Sequence, residues 1–345
     1  MNRITLVTDA WQPQINGVVR TLEETILQLN RKGFLVKVVE PSMFKTFPCP
    51  TYPEIPLSWN IWKAGKMIED TRPHYLHIFT EGPLGLAAKL WADRRQIPYT
   101  TSYHTKYPEY LVDYFGGGLV IGYKAIKWFH GKARAVMVNT NSMADRLALH
   151  KMKNTVVWSR GVDLDLFTPN GKTPEFFQTL PRPILINVGR VAVEKNLPDF
   201  YALAGTKIQV GGGPMLNEYR EKYPDVHFIG PKQGAELAAY YRGADVFVFP
   251  SKSDTFGLVL LESIASGVPV AAYPVEGPID VVIDPKVGSL NDDLSVAVTQ
   301  ALDLTDKAYL RGWANSRTWS ACTDVFISHL VLIQSSRKGS WGHSK

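Results

Sequence analysis

Pro250-Ser-Lys-Ser-Asp-Thr-Phe-Gly-Leu-Val-Leu-Leu-Glu262 is the stretch on which the reading of this 345-residue chain turns. Ahead of it runs Asp245-Val-Phe-Val-Phe249, a short apolar run rich in β-formers that predicts a buried parallel strand. Behind it, Leu258 to Ser266 repeats apolar residues at helical spacing and stops at Gly267, with Pro269 just beyond. A strand, a polar turn with a glycine and a helix start together present backbone N–H groups to a phosphate. Asp254 and Glu262 stand about two helical turns apart at ~1.5 Å per residue, so they can flank one elongated polar ligand. The spacing equally fits Asp254 as a helix cap and Glu262 as a solvated helix residue.

The same strand–turn–helix pattern extends to both sides. Pro183-Ile-Leu-Ile-Asn-Val-Gly-Arg190 predicts a strand ending at Gly189-Arg190, and Glu194-Lys195-Asn196 follows. A guanidinium and an ammonium beside one glycine turn suit a phosphate clamp; two solvated surface cations are the plainer alternative. Lys207 to Val210 predicts a strand leading to Gly211-Gly-Gly-Pro214, and Val226-His-Phe-Ile-Gly230 and Val268-Pro-Val-Ala-Ala272 predict two more. Leu294 to about Ile333 is largely helical in pattern, and 334–345 reads as a loose tail. Thr168 to Pro183 carries four prolines and reads as an interdomain linker, which predicts domains at 1–168 and 184–333.

The first half opens with Ile4 to Thr8 as a strand, a loop from Asp9 to Gly17 and a helix from Val18 to Leu29. That start predicts a doubly wound α/β sheet, and the missing three-glycine fingerprint argues against a nicotinamide or flavin enzyme. Phe34 to Val39, His74 to Thr80, Tyr99 to Tyr103, Ala135 to Asn139 and Asn154 to Ser159 predict further strands. His104 ends one of them, where open α/β sheets bind ligands. Pro41 to Pro56 cannot be regular helix or central strand. Phe44, Phe47, Tyr52, Trp59 and Trp62 near Lys63 and Lys66 suit a membrane interface, a glycan surface or ordinary loop packing. Gly116-Gly-Gly118 marks a joint before Leu119 to Arg134, which mixes apolar residues with Lys124, Lys127, Lys132 and Arg134 and carries Tyr123, Trp128 and Phe129. The segment suits a helix lying on a bilayer, or one packed by its apolar face with a solvated basic face.

Composition narrows the class. Hydrophobic residues make up 45% and charged residues 20%, which is globular rather than disordered. No run approaches the ~18 apolar residues of a spanning helix, and the immediate entry into a strand predicts no signal peptide. Cys49 and Cys322 match no metal or redox spacing and point to a reducing compartment. The net charge of +6 is uneven: residues 1–168 hold 21 Lys and Arg against 14 Asp and Glu, and residues 169–345 hold 17 against 18. Basicity confined to the first half suggests an anionic partner there, a membrane surface or nucleic acid. No recognised nucleic-acid module is present, which argues against the latter.

Taken in order, these motifs resemble those of the retaining glycosyltransferases of family 4, over roughly residues 3 to 331. The resemblance implies the GT-B fold, two Rossmann-like doubly wound parallel-sheet domains facing a central cleft. The family's paired acids are usually two glutamates separated by seven residues; here Asp254 takes the first place and Glu262 the second. Similarity implies that Asp254 and the backbone at Phe256-Gly257 hold the donor sugar, and that Glu262 holds the nucleotide ribose. Val188 to Leu197 resembles the diphosphate-binding motif, implicating Arg190 and Lys195, and Phe228-Ile229-Gly230 resembles the strand end that faces the base. Gly212 stands where relatives commonly carry aspartate. Asn16-Gly17 matches a glycine loop that approaches the donor phosphates, and Tyr103-His104-Thr105 resembles the acceptor-side histidine. Arg160 to Phe167 resembles the exit motif of the first domain. Asp163 and Asp165 there have no companion hard-oxygen cluster for a metal.

The resemblance implies transfer of a hexosyl group from a nucleoside-diphosphate sugar, such as GDP-mannose or a UDP-sugar, with retention and without metal or cofactor. A retaining hydrolase uses two carboxyls about 5 Å apart, one as nucleophile, a role that a ribose-holding Glu262 would exclude. The basic first domain and its aromatics favour a lipid acceptor at the cytoplasmic face, with the last helix crossing back to the first domain. The alternatives are a soluble or polysaccharide glycan acceptor and, from a different class, a non-catalytic sugar-nucleotide-binding protein.

Overall fold

In the computed structural model, residues 1–14, 16–49, 55–104, 108 and 118–333 are described. Tyr52, Thr105, Gly116, Gly117 and 334–345 lie outside them. The chain divides into Met1–Ser159 with Cys322–Lys345, and Arg160–Ala321.

The first unit alternates strands and helices: β1 (Asn2–Val7), α1 (Gly17–Arg31), β2 (Phe34–Val39), β3 (Thr46–Pro48), β4 (Pro56–Ser58), α2 (Ala64–Asp70), β5 (Tyr75–Ile78), α3 (Pro83–Arg95), β6 (Thr100–Tyr103), α4 (Leu119–His130), β7 (Val136–Val138), α5 (Asn141–Leu149) and β8 (Thr155–Val157). Six strands pair in parallel in the order β2-β1-β5-β6-β7-β8, and β3 and β4 form a separate antiparallel ribbon. Helix α1 starts where the Asn16 side chain accepts hydrogen bonds from Val18 N and Val19 N, each 3.0 Å. It buries Val19, Leu22 and Leu29 on one stripe and stops before Gly33, whose φ is +82°. Helices α2 to α5 supply Ile68, Ala88, Ile126 and Leu147 to a core shared with Val7 and Ile78 of the sheet.

The second unit contains β9 (Ile184–Val188), α6 (Leu197–Tyr201), β10 (Thr206–Val210), α7 (Leu216–Lys222), β11 (Val226–Gly230), α8 (Gly234–Gly243), β12 (Val246–Phe249), α9 (Leu258–Ala265), β13 (Val270–Ala272), α10 (Pro278–Val281), β14 (Gly288–Leu290), α11 (Leu294–Leu302) and α12 (Lys307–Ala314). Its parallel sheet has the order β11-β10-β9-β12-β13-β14. That is the doubly wound order 3-2-1-4-5-6, whose direction reverses between β9 and β12. Buried apolar side chains line both faces of the sheet, Ile186 and Phe247 on one and Leu185 and Val248 on the other.

Two segments read as connections belong structurally to the second unit. Phe167 of the exit motif and Phe177 of the proline-rich stretch are both buried in its core. The stretch 168–183 is therefore packed, with a 3₁₀ turn at Glu175–Thr179. Helix α13 (Trp319–Ser328) contains the division at Ala321/Cys322. Within the first unit, Trp158 Nε1 donates to Cys322 O at 3.1 Å and Phe326 packs 4.9 Å from the Trp158 ring.

Candidate functional site

The second unit gathers its candidate residues at the sheet reversal. Ligands of open α/β sheets bind outside the carboxyl ends of the strands at such a point. β9 leads directly into Gly189, Arg190 and the 3₁₀ turn Val193–Lys195; β12 leads into Pro250 to Asp254. The two loops meet. Lys195 Nζ donates to both Asp254 oxygens, at 2.6 and 2.8 Å. Arg190 is exposed beside them in sequence. Asp254 is thus held by an ammonium and does not cap α9, whose N-cap is Gly257 at φ +83°. Phe256 is buried and anchors the turn in the core.

Glu262 is 2% exposed, so it is no solvated helix residue. Its Oε2 accepts a hydrogen bond from Tyr241 OH at 3.0 Å. At the end of β11, Phe228 packs against the core and sets its ring 5.5 Å from that of Tyr201. Gly230 has φ +83°, and its carbonyl accepts from Gly211 N at 2.9 Å.

Sequence reasoning missed what braces the two loops. Asp199 accepts hydrogen bonds from Tyr273 OH and Asn196 Nδ2, both at 2.6 Å, and Asn196 Nδ2 also donates to Pro250 O at 3.2 Å. Burial works against ionisation of Asp199, but the bonds from Tyr273 and Asn196 outweigh it and hold the carboxyl below its usual range. Gly277 supplies a third brace. A Cβ there would lie 3.1 Å from Asp254 O and 3.3 Å from Phe256 O. Asn196 turns the chain at φ +52°, a left-handed state in which asparagine is enriched.

In the first unit the sheet reverses between β1 and β5, and the loops after these strands carry Asp9 and Glu81. Asp9 Oδ1 accepts from Leu84 N at 2.7 Å, and Oδ2 from Gly85 N at 3.1 Å and Thr80 Oγ1 at 2.9 Å, so it caps α3. Burial pushes Asp9 up to about 6 against the opposing pull of these bonds. Glu81 Oε1 lies 3.2 Å from His130 Nε2, whose other nitrogen lies 2.8 Å from Thr101 Oγ1. His104 is buried at the end of β6, 4.5 Å from the Phe79 ring and 6.1 Å from the Trp158 ring, between centroids. Gly17 is exposed as the first residue of α1.

Helix α4 separates residues that the sequence reading grouped together. Tyr123 and Phe129 are core residues, and Tyr123 stacks on His150 at 3.5 Å. The outward face carries Lys124, Lys127 and Trp128, with Val120 and Ile121 in the first turn. Arg134 and Lys132 are exposed just beyond, Lys132 Nζ lying 3.6 Å from Asp93. Trp128 covers the buried Lys89, whose Nζ is 4.2 Å from the ring centre.

Family models match both halves: Glycosyltransferase Family 4 over residues 15–166, and Glycosyl transferases group 1 over residues 182–308. The chain belongs to the family 4 glycosyltransferases. This glycosyltransferase is 27% identical to the GDP-mannose-dependent alpha-mannosyltransferase of Mycolicibacterium smegmatis, over 96% of this chain and 97% of the relative. It is 26% identical to the alpha-monoglucosyldiacylglycerol synthase of Streptococcus pneumoniae, over 88% and 79% respectively. Sucrose-phosphate synthase from Thermosynechococcus elongatus superposes with a TM-score of 0.72 at 19% identity, covering 95% of this chain and 98% of the other, which places the family 4 glycosyltransferase in the GT-B fold. It uses a nucleotide sugar. Among its described residues no helix is long and apolar enough to cross a membrane.

Proposed function

We propose that the protein transfers a hexosyl group, with retention, from a nucleoside-diphosphate sugar to a hydroxyl of a membrane lipid. The observation that carries the donor half is the Lys195–Asp254 pair at the sheet reversal of the second unit, with exposed Arg190 on the same loop as Lys195. When the diphosphate enters, Lys195 and Arg190 bind its oxygens, and Asp254 is released to the sugar hydroxyls. Glu262, steadied by Tyr241, receives the ribose. The acceptor hydroxyl attacks the anomeric carbon on the face from which the diphosphate leaves. The bond to the diphosphate breaks, and the departing phosphate oxygen takes the hydroxyl proton. Fixed cations aimed at the leaving charge stabilise that transition state by a few kcal/mol each, so the reading needs no divalent ion. His104 of the first unit is assigned to the acceptor side.

The lipid half rests on relatives whose names include a glucosyldiacylglycerol synthase and on the outward face of α4, where Lys124 and Lys127 flank exposed Ile121 and Trp128. That face suits reversible attachment to an anionic cytoplasmic leaflet. A thermal-shift screen of nucleotides and nucleotide sugars, followed by sedimentation with anionic vesicles, tests both halves. Stabilisation by one nucleoside diphosphate and salt-sensitive sedimentation are expected. Stabilisation without sedimentation moves the acceptor to a soluble glycan, and neither result leaves the proposal without support.

A further inference from the structure

The strap made by residues 43–49 and 55–66 has no part in the chemistry above, yet it exposes some of the largest apolar side chains of the first unit. It begins at the carboxyl end of β2, passes through the β3–β4 ribbon and reaches the 3₁₀ turn Ile61–Lys63 before α2. Phe44 and Ile61 point inward and pack on the core. Phe47, Trp59 and Trp62 point outward, Trp62 with 68% of its surface exposed. The inward pair fixes the backbone, so the outward rings are a built surface rather than a loose loop.

Chemistry identifies the partner. Residues 41–68 hold three cations, Lys45, Lys63 and Lys66, against one carboxylate, Glu54, which lies outside the described residues. Lys45 Nζ sits 5.9 Å from the Trp59 ring centre, and the Trp59 and Trp62 rings meet edge to face at 5.6 Å. A sugar-binding platform needs a flat ring beside carboxylate or amide side chains. Here the rings are at 70° to each other, and the amide of Asn60 is buried, its Oδ1 already accepting from Lys45 N at 2.8 Å. Crossed indole rings flanked by three lysines fit the headgroup layer of an anionic bilayer.

Topology puts this surface where it matters. Right-handed crossovers place α2, α3 and α4 on one face of the sheet. The turn carrying Trp62 packs on α3, and Trp128 of α4 covers Lys89 of α3. The strap and the exposed first turn of α4 thus lie on the same side of the sheet and at its carboxyl end, the end that also carries Asp9, Glu81 and His104. We propose that the described parts of this strap, residues 43–49 and 55–66, form a second membrane-contacting lobe, inserting Trp59 and Trp62 into the interface while α4 supplies most of the charge. Two lobes fix the tilt of the unit on the bilayer, which one helix does not. The proposal rests on the membrane reading above and adds the strap to it.

The test uses the full chain, vesicles of phosphatidylglycerol with phosphatidylcholine, and vesicles of phosphatidylcholine alone. Trp59→Ser/Trp62→Ser is expected to weaken binding to the anionic vesicles by about tenfold or more and to abolish the binding that survives high salt. Lys124→Gln/Lys127→Gln/Arg134→Gln is expected to remove mainly the salt-sensitive part. Native-like binding by a folded Trp59→Ser/Trp62→Ser variant, with loss in the α4 variant, overturns the strap and leaves the membrane reading standing. No binding of the native protein to either vesicle overturns both. If the serine variant does not fold, Trp59→Phe/Trp62→Phe decides: brominated-lipid quenching of tryptophan fluorescence should drop against the native protein, and unchanged quenching overturns the proposal.

Discussion

Gly277→Ala tests whether the turn from Asp254 to Phe256 is held in place from behind. Gly277 has φ +97° and ψ −77°, a backbone state that side chains disfavour by about 1–3 kcal/mol. A methyl there would also stand 3.1 Å from Asp254 O, 3.3 Å from Phe256 O and 3.4 Å from Phe256 N. All three are backbone atoms, and neither end of the turn is free to retreat: Asp254 is tied to Lys195, and Phe256 is buried. The turn must therefore give by a few tenths of an ångström. If a 1 Å misplacement costs on the order of 10²-fold in rate, this shift should cost about tenfold. Strain should also lower the melting temperature by about 2–4 °C per kcal/mol. Turnover is read from release of nucleoside diphosphate and stability from a thermal melt. Gly312→Ala is the control, since Gly312 lies in α12 at negative φ with nothing within 4 Å of its added methyl. Native turnover and melting temperature in Gly277→Ala would refute the bracing argument.

Three further outcomes are expected. Arg190→Ala and Lys195→Ala should each lower turnover by about 10²-fold with little change in melting temperature, because neither side chain is in a core. Tyr241→Phe should destabilise the second unit by about 1–3 kcal/mol in urea unfolding, since it takes a hydroxyl donor from a carboxylate that is 2% exposed. Asp9 binds its proton more tightly folded (about 6) than its ordinary value of 3.8, so the folded state holds the extra proton and stability falls as pH rises between these values. Urea midpoints of the native protein and Asp9→Asn at pH 4 and pH 7 should show the native protein losing about 2–3 kcal/mol relative to the variant across that window. A pH-independent difference would contradict this.

The alternation of strands and helices was legible because apolar runs and glycine stops are local signals. So was the identity of Lys195 and Asp254 as candidates. Their contact was not, because it depends on β9 and β12 lying side by side, and strand order is set by the packing of the whole sheet. Asp199 and Tyr273 were missed for the same reason, being 74 positions apart and joined by one hydrogen bond. The face of α4 could have been read from sequence alone: Tyr123, Ile126 and Phe129 recur at three-residue steps on one side, leaving Lys124, Lys127 and Trp128 on the other.

The central claim is that two fixed cations of the second unit stabilise the departing nucleoside diphosphate while the hexosyl group passes to a lipid acceptor. Its most direct test is the release of GDP or UDP from the donor picked out by the thermal-shift screen. The native protein and Arg190→Ala are compared with and without mixed lipid vesicles, each with and without a chelator. Release that depends on the vesicles, is unchanged by the chelator and falls about 10²-fold in Arg190→Ala is the predicted result. Release that the chelator abolishes and Mg²⁺ or Mn²⁺ restores, or that Arg190→Ala leaves intact, would contradict the account.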